Sequence, residues 1–495
     1  MKEMTRFLAA RGLFFLIALL IPNLSVASQQ VLPSQQQPRR SSATKPNIVI
    51  MMGDDLGICD VSLYGCKDIP TPNIDSIAAK GVKFTNGYVS APVCSPSRAG
   101  LMTGRYQHRF GFEFNAGPLQ RAVNEKEMGL PLTEITLAQA MKKAGYATGM
   151  VGKWHLGMQA KFHPTQRGFD EFFGFLFGAN NYFDPRGPEA VTAEAGGNEG
   201  NQAWPRNPLN PVYRNQKPLE ENDYLTEAFA REAVAYIDRH KSEPFFLYAP
   251  FNAPHTPLQA TKKYVARFPH ITDKRRQVYA AMVSALDDAV GAILKKLRDS
   301  GLEKDTMVVF LSDNGCAAYT NACTNDPLRY GKLTHFEGGF RVPFTLQYPA
   351  KIKGGATYDK AISSLDLFPT ALALAGGEMP KDRPYDGVNL LPFLTGKNSP
   401  TQRGPHEVLC WRNGENAGVR KGNWKLFRGG DKYWLYDLTK DQGEQQSVAG
   451  KYPQIVADLK KELQKWEAQM KQPLWPCRPA GGDWLVDGVK LNICI

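Results

Sequence analysis

The sequence predicts an α/β protein: a large, mostly parallel sheet sandwiched by helices, followed by a smaller C-terminal antiparallel sheet with a packed helix. Three observations lead there. Short apolar runs at 47–52 (NIVIMM), 244–248 (PFFLY) and 307–311 (MVVFL) lack polar alternation, which marks strands buried on both faces. Segments with helical spacing separate them, and that alternation belongs to a parallel sheet. Beyond about residue 375 the composition shifts to short strand-like pieces.

In chain order, the first strand is residues 47–52. Residues 135–146 have helical spacing with lysines on the outer face, and 147–151 read as the next strand. Residues 224–241 are amphipathic at helical period, then comes the strand at 244–248. A long helix over 275–300 precedes the strand at 307–311. In the C-terminal part, 417–421, 424–428 and 433–436 read as strands and 453–470 as a helix. The expected organisation is a signal peptide at 1–27, a disordered Gln/Ser/Pro-rich linker at 28–45, a catalytic domain at 46–375 and a C-terminal subdomain at 376–495.

The 495 residues are 42% hydrophobic, ample for a large core. Lys2, Arg6 and Arg11 precede a short apolar run at 13–21, and Ser25-Val26-Ala27 offers a cleavage site. That run is short for a membrane span and no other stretch approaches one, so a periplasmic or secreted protein without a stable span is expected. No Asn-x-Ser/Thr sequon follows the leader, which leans toward a bacterial source. The net charge of +12 suits an anionic partner: nucleic acid, membrane surface, or a sulfated or phosphorylated substrate. With no long basic run and no zinc-finger or RNA-recognition pattern, nucleic acid ranks low. Eight cysteines suit an oxidising compartment; Cys316 with Cys323, and Cys477 with Cys494, are plausible local pairs, although spacing cannot set the connectivity.

Two of the buried runs end alike. NIVIMM leads into Gly53-Asp54-Asp55, and MVVFL into Ser312-Asp313-Asn314-Gly315. Ligands of open α/β sheets bind at the carboxyl ends of strands, where Asp54, Asp55, Asp313 and Asn314 would meet. Oxygen donors of this kind suit Ca²⁺ or Mg²⁺ rather than zinc; either pair alone also reads as a turn or a helix cap. A second feature is Cys94-Ser95-Pro96-Ser97-Arg98, opening a predicted helix with Arg98 one turn on. A cysteine there reads either as a thiolate nucleophile or as an inert buried thiol.

Cys94, Pro96, Ser97 and Arg98, with Thr103-Gly104-Arg105 after them, resemble the signature of the type I sulfatases. Further blocks fit the same family in order: Gly152-Lys153-Trp154-His155-Leu156-Gly157, Asn252-Ala253-Pro254-His255, Ser312-Asp313-Asn314-Gly315, and Gly331-Lys332 with Glu337-Gly338-Gly339 and Arg341-Val342-Pro343. The chain is similar to the arylsulfatase and N-acetylgalactosamine-sulfatase branch over residues 46–470, with 162–171 contributing.

The resemblance implies an alkaline-phosphatase-like fold and hydrolysis of sulfate esters. It implies that a separate maturation enzyme oxidises Cys94 to formylglycine, and that one hydroxyl of the hydrated aldehyde attacks sulfur. Asp54, Asp55, Asp313, Asn314 and position 94 would hold the metal, with calcium favoured over magnesium. Lys153 and Lys332 would hold the sulfate, joined at the substrate by His255. Asp313 would take the hydroxyl proton, His255 would protonate the leaving oxygen, His155 would assist release, and Arg98 would stabilise the modified residue. The substrate implied is a sulfated carbohydrate, with galactose or N-acetylgalactosamine sulfates favoured. Two other readings stay open: a phosphodiesterase or phosphonate hydrolase on the same scaffold, and a sulfated-glycan binding protein without catalysis. In the loop over 175–222, Tyr182, Arg186, Trp204 and Arg214 read equally as sugar contacts and as loop packing. Oligomeric state is not legible.

Overall fold

The computed structural model describes residues 45–194, 206–395, 404–481 and 484–495. The leader and most of the linker expected at 1–45, and Trp204, lie outside the described residues.

Among the described residues, ten strands form one sheet: β1 (Asn47–Gly53), β2 (Val82–Phe84), β3 (Ala147–Lys153), β4 (Glu171–Phe175), β5 (Val212–Arg214), β6 (Lys217–Leu219), β7 (Phe245–Pro250), β8 (Thr306–Ser312), β9 (Phe344–Gln347) and β10 (Ala356–Tyr358). Across the sheet they run β10-β2-β9-β8-β1-β7-β3-β4-β5-β6. The five central strands, β8 to β4, are parallel, and antiparallel strands flank them on both sides. The expected large, mostly parallel sheet is therefore present, with short flanking strands of mixed direction that the apolar runs did not reveal.

Why β1 lies at the centre follows from its side chains. Ile48, Ile50 and Met52 enter the core on one face; Val49 and Met51 enter the core on the other. A strand buried on both faces needs no polar alternation. The first core is covered by α1 (Cys94–Thr103), α2 (Leu137–Lys143) and α5 (Leu367–Leu374), the second by α3 (Leu225–His240) and α4 (Lys274–Asp299). Thr136 and Gln139 form a reciprocal cap at the start of α2, and Asp273 caps α4.

One expectation needs correction. α4 is long and apolar enough to cross a membrane by length and composition, although no second span was expected. Its apolar window is 78% buried within the protein, so the apolar run reflects a core helix packed on the sheet and on α3.

The smaller sheet is a four-stranded antiparallel meander of β11 (Val408–Asn413), β12 (Asn416–Lys421), β13 (Trp424–Gly429) and β14 (Lys432–Asp437). Helix α6 (Pro453–Glu467) lays Leu459, Leu463 and Trp466 against Val419, Leu426 and Leu435 of this sheet. The chain then returns to the first core, where Trp475 packs on Phe112 and donates to the Asn115 carbonyl. Cys316 is bonded to Cys323 and Cys477 to Cys494, the two local pairs expected.

Candidate active site

Four neighbouring parallel strands, β8, β1, β7 and β3, end on the same edge of the sheet. Past β1 stand Asp54 and Asp55, and past β8 stand Asp313 and Asn314. β3 closes on Lys153 and leads into His155, and the loop after β7 carries His255. The N-terminus of α1 brings Cys94 and Arg98 to this edge. Lys332 arrives from a loop anchored by backbone bonds from Lys332 to Cys316 and from Leu333 to Pro92. All of these side chains are buried.

Cys94 Sγ lies 3.5 Å from Asp54 Oδ1 and 3.7 Å from Asp55 Oδ1. Each carboxylate also holds a lysine: Lys153 Nζ is 2.6 Å from Asp54 Oδ2, and Lys332 Nζ is 2.9 Å from Asp55 Oδ2. Arg98 reaches Asp313 Oδ2 through Nε at 2.9 Å and Nη2 at 2.8 Å, and donates Nη1 to the Lys153 carbonyl. His255 Nδ1 is 2.6 Å from the Thr256 carbonyl, which can only accept. Nδ1 therefore carries the proton, and Nε2 faces Lys332 Nζ at 3.2 Å and Asp55 Oδ2 at 3.6 Å. Two non-glycine residues adopt left-handed backbone here, Asp55 (φ 59°) and His155 (φ 60°), a conformation that clusters at functional sites.

The electrostatics follow from burial set against charge. Burial alone would raise the Asp54 carboxyl, but Lys153, His255, Arg98 and Lys332 hold it far below the usual carboxylate range. Asp313 goes the other way, pushed up to about 6 by burial and by the Asp54 charge. Burial pulls His255 down, yet the carboxylates of Asp54 and Asp55 raise it overall despite Lys332 and Lys153. Burial drives the Cys94 thiol well above its ordinary value against the pull of Lys153 and Lys332. An unmodified Cys94 is thus held as the thiol, the weaker nucleophilic form.

The residues fit a divalent cation. Asp54, Asp55, Cys94 and His255 place ligand-capable atoms within 4.8 Å of one another. Asn314 donates Nδ2 to Asp55 Oδ1 at 2.7 Å, while its Oδ1 is buried without a hydrogen-bond partner. A buried acceptor left open on a residue that touches Asp55 suits a hard cation. The expected ligands Asp54, Asp55, Cys94 and Asn314 meet here. Asp313 adjoins them, accepting from the Asp55 amide at 3.2 Å while committed to Arg98 on its other oxygen. His255, expected only at the substrate, stands inside the same cluster.

Of the loop residues that read equally as sugar contacts and as packing, three are described and each is paired within the protein, and further supporting residues, Gly178, Gly315 and Lys425, escaped the sequence. Tyr182 is fully buried and donates to the carbonyls of Asn252 and His255, so it props the His255 loop from inside the fold. Arg214 pairs with Glu232, and Arg186 with the neighbouring Asp184. Gly178 makes room for the His155 ring; a Cβ there would stand 2.7 Å from His155 Cε1. Gly315 is required because the Gly338 carbonyl oxygen lies 1.6 Å from where its Cβ would be. Behind Lys332, Glu337 meets Lys425 of the small sheet at 3.0 Å, and Lys425 meets Glu444 at 2.8 Å, all three inaccessible to solvent. Nothing in the local pattern around Lys425 separates it from a solvated strand lysine.

A parallel sheet whose carboxyl edge gathers these acids, cations and a cysteine at the first position of a helix defines a sulfatase-type site. The chain belongs to the sulfatase family: the "Sulfatase" family model matches residues 46–377, and the model "N-sulphoglucosamine sulphohydrolase, C-terminal" matches residues 329–469. The chain is similar to the N-acetylgalactosamine-6-sulfatase of Homo sapiens, 38% identical over 369 residues, which are 70% of this chain and 66% of that protein. Among solved structures it is similar to Ps i-CgsB in complex with k-i-k-neocarrahexaose, with 34% identity and a TM-score of 0.78 over 87% of this chain and 95% of that one. The phosphonate monoester hydrolase of Agrobacterium radiobacter shares the fold at 19% identity, with a TM-score of 0.63 over 87% of this chain and 97% of that one.

Proposed function

We propose that this protein hydrolyses sulfate esters of a sulfated glycan, with galactose or N-acetylgalactosamine sulfates favoured, using formylglycine formed from Cys94. One observation carries the reading: Cys94 Sγ faces Asp54 and Asp55, and each of those carboxylates is also gripped by a buried lysine. The known relatives act on, or bind, sugars of this class by name, an N-acetylgalactosamine-6-sulfatase and a protein holding a carrageenan-type oligosaccharide.

Charge balance supports an anionic ester. Asp54, Asp55 and Asp313 face the three fixed cations Lys153, Lys332 and Arg98. A dication held by Asp54, Asp55, Asp313, Asn314 and position 94, with calcium favoured over magnesium, leaves the site positive and supplies Lewis acidity toward the nucleophile oxygen. Once hydrated, an aldehyde at position 94 supplies one hydroxyl to attack sulfur and a second to expel sulfate by internal elimination.

The chain's own residues do the remaining work. Lys153 and Lys332 hold the sulfate oxygens and offset the charge that builds during transfer. Asp313 receives the hydroxyl proton; one of its oxygens is fixed by Arg98 and the other accepts from the Asp55 amide. His255 gives a proton to the departing alcohol through Nε2, the nitrogen that its Thr256 contact leaves toward the site. His155, next to the turn of Ser95, assists the return to the aldehyde; its carbonyl accepts from Ser95 Oγ at 2.5 Å. Arg98 fixes Asp313 and lies 3.6 Å from Asp54.

The partners proposed are the sulfated carbohydrate and a maturation enzyme that oxidises Cys94. The two disulfides support an exported, periplasmic or secreted location. The test is a desulfation screen over defined sulfated galactose and N-acetylgalactosamine saccharides, using protein co-produced with a maturation enzyme. Sulfate release from at least one is expected; release from none overturns the reading. Turnover of the sulfate and phosphate esters of one phenol separates it from phosphate-ester chemistry, with the sulfate ester expected to be the better substrate.

A further inference from the structure

Among the described residues, six large apolar side chains are exposed: Leu132, Leu209, Tyr319, Tyr330, Leu474 and Leu485. Three of the six gather round one further ring. Trp484 lies edge-on to Tyr319 and to Tyr330, each at 6.3 Å, and Tyr330 donates its hydroxyl to the Leu485 carbonyl at 3.0 Å. Isolated exposed apolar residues are ordinary, whereas a contiguous aromatic group is the pattern of a binding surface.

Its position ties it to the candidate site. Trp484 packs on a small core that contains Val93 and Leu333, the chain neighbours of Cys94 and Lys332. Tyr330 stands two residues before Lys332, and Tyr319 five residues after Asn314. The rings also come from braced segments. Cys316–Cys323 closes the loop holding Tyr319, and Cys477–Cys494 closes the segment holding Trp484. On the inner side, Arg329 lies over Tyr330 and Phe336, at 5.2 and 4.6 Å, and donates to the Glu444 carbonyl. Rings presented from closed, anchored loops lose little freedom when a ligand arrives.

We propose that Trp484, with Tyr319 and Tyr330, forms a sugar-stacking platform tied to the candidate site, which takes the sugar adjoining the sulfated one in an oligosaccharide. The inference deepens the glycan-sulfatase reading and rests on it for the identity of the ligand. Sugar rings present an apolar C–H face that stacks on exposed aromatic rings, and their hydroxyls stay in water. A group of three rings and one leucine is far smaller than the roughly 800 Å² per partner of a stable protein interface. It matches one or two sugar units. Tyr319 and Tyr330 share their loops with Asn314 and Lys332, which ties the platform to the candidate site.

The test uses two readouts on the full chain. The first is titration of the unmodified protein with a desulfated galactan hexasaccharide, which does not depend on sulfatase chemistry. Binding in the millimolar range is expected, weakened about tenfold or more by Trp484→Ala and kept by Trp484→Phe. No binding to the parent protein, or equal affinity in the alanine variant, overturns the platform. The second readout is the ratio of kcat/KM on a sulfated galactan hexasaccharide to kcat/KM on a small aryl sulfate. Trp484→Ala is expected to lower that ratio about tenfold, mostly through KM; a parallel loss on both substrates means a structural role only and overturns the proposal. Sedimentation of parent and variant completes the set, since a dimer that Trp484→Ala turns into monomer assigns the rings to self-association instead. If the mature enzyme desulfates nothing, the functional reading fails, while the hexasaccharide titration still decides the platform.

Discussion

Arg98 and Asp313 are joined by two contacts to one carboxylate oxygen, at 2.9 and 2.8 Å, with both side chains sealed from solvent. A buried pair of this kind is costly to break, because the survivor keeps its charge without a partner. Arg98→Ala is expected to lose about 3–5 kcal/mol of unfolding free energy. Sulfate release should fall more than a hundredfold, as when a preorganised charge is taken from a transition state. Arg98→Lys keeps the charge but not the two-point grip, so stability should recover in part while turnover stays low. Denaturant unfolding and sulfate release on the three proteins check this.

Lys425 gives a test away from the reacting atoms. It bridges Glu337 and Glu444 where the small sheet meets the segment that follows Lys332. Lys425→Met would leave two buried carboxyl groups without their shared cation, although the Glu444 carboxylate would still accept from the Glu337 amide. A loss of about 3–5 kcal/mol is expected in denaturant unfolding. Adding Glu337→Gln and Glu444→Gln in the same chain should restore a large part of it, since neutral amides need no counter-charge.

His163 yields a pH prediction. Its Nδ1 accepts from the Thr165 amide, and burial pulls its pKa down to about 4. The folded value lies below the unfolded 6.5, so the unfolded chain binds the extra proton between the two values. This contribution is complete above pH 6.5 and is lost as pH falls toward 4. His163→Asn offers an acceptor where Nδ1 stood and cannot be protonated there. The slope of unfolding free energy between pH 6.5 and 4 should flatten in that variant.

Gly178→Ala probes the placement of His155. The added methyl would meet the imidazole at 2.7 Å, so the ring must turn away. Turnover is expected to fall tenfold to a hundredfold, the scale of a misplaced catalytic group. The unfolding midpoint should move little, because the methyl meets the edge of one ring rather than backbone. A kcat equal to that of the parent would remove His155 from the chemistry.

The open Asn314 oxygen makes cation binding measurable without turnover. Calcium added to chelator-treated protein should stabilise the fold by about 2.7 kcal/mol at a hundredfold excess over Kd. Magnesium should do less at equal concentration, since the cluster offers several irregularly placed oxygens rather than a hydrated octahedron. Asn314→Ala should lose most of the calcium shift.

What was legible in the sequence follows from where side chains sit along the chain. Asp54 with Asp55, and Asp313 with Asn314, stood out because each pair directly follows an unbroken apolar strand, and parallel neighbours bring such ends together. Cys94 and Arg98 were readable because one helical turn relates them. The edge strands β2, β9 and β10 were not, since three or four residues carry too little periodicity. Tyr182 was ambiguous because an aromatic in a polar loop has the same local context whether it faces sugar or props a backbone. Lys425 was silent because its two carboxylate partners lie 88 and 19 residues away, and a lone lysine on a strand is ordinarily solvated.

The chemical state of position 94 decides the proposed chemistry, and peptide mass spectrometry across residues 93–98 reads it directly. Protein co-produced with a maturation enzyme and active on a sulfated saccharide is predicted to carry the aldehyde there, in a fraction that rises in step with specific activity. A fully active preparation whose peptide holds only unmodified Cys94 would contradict it.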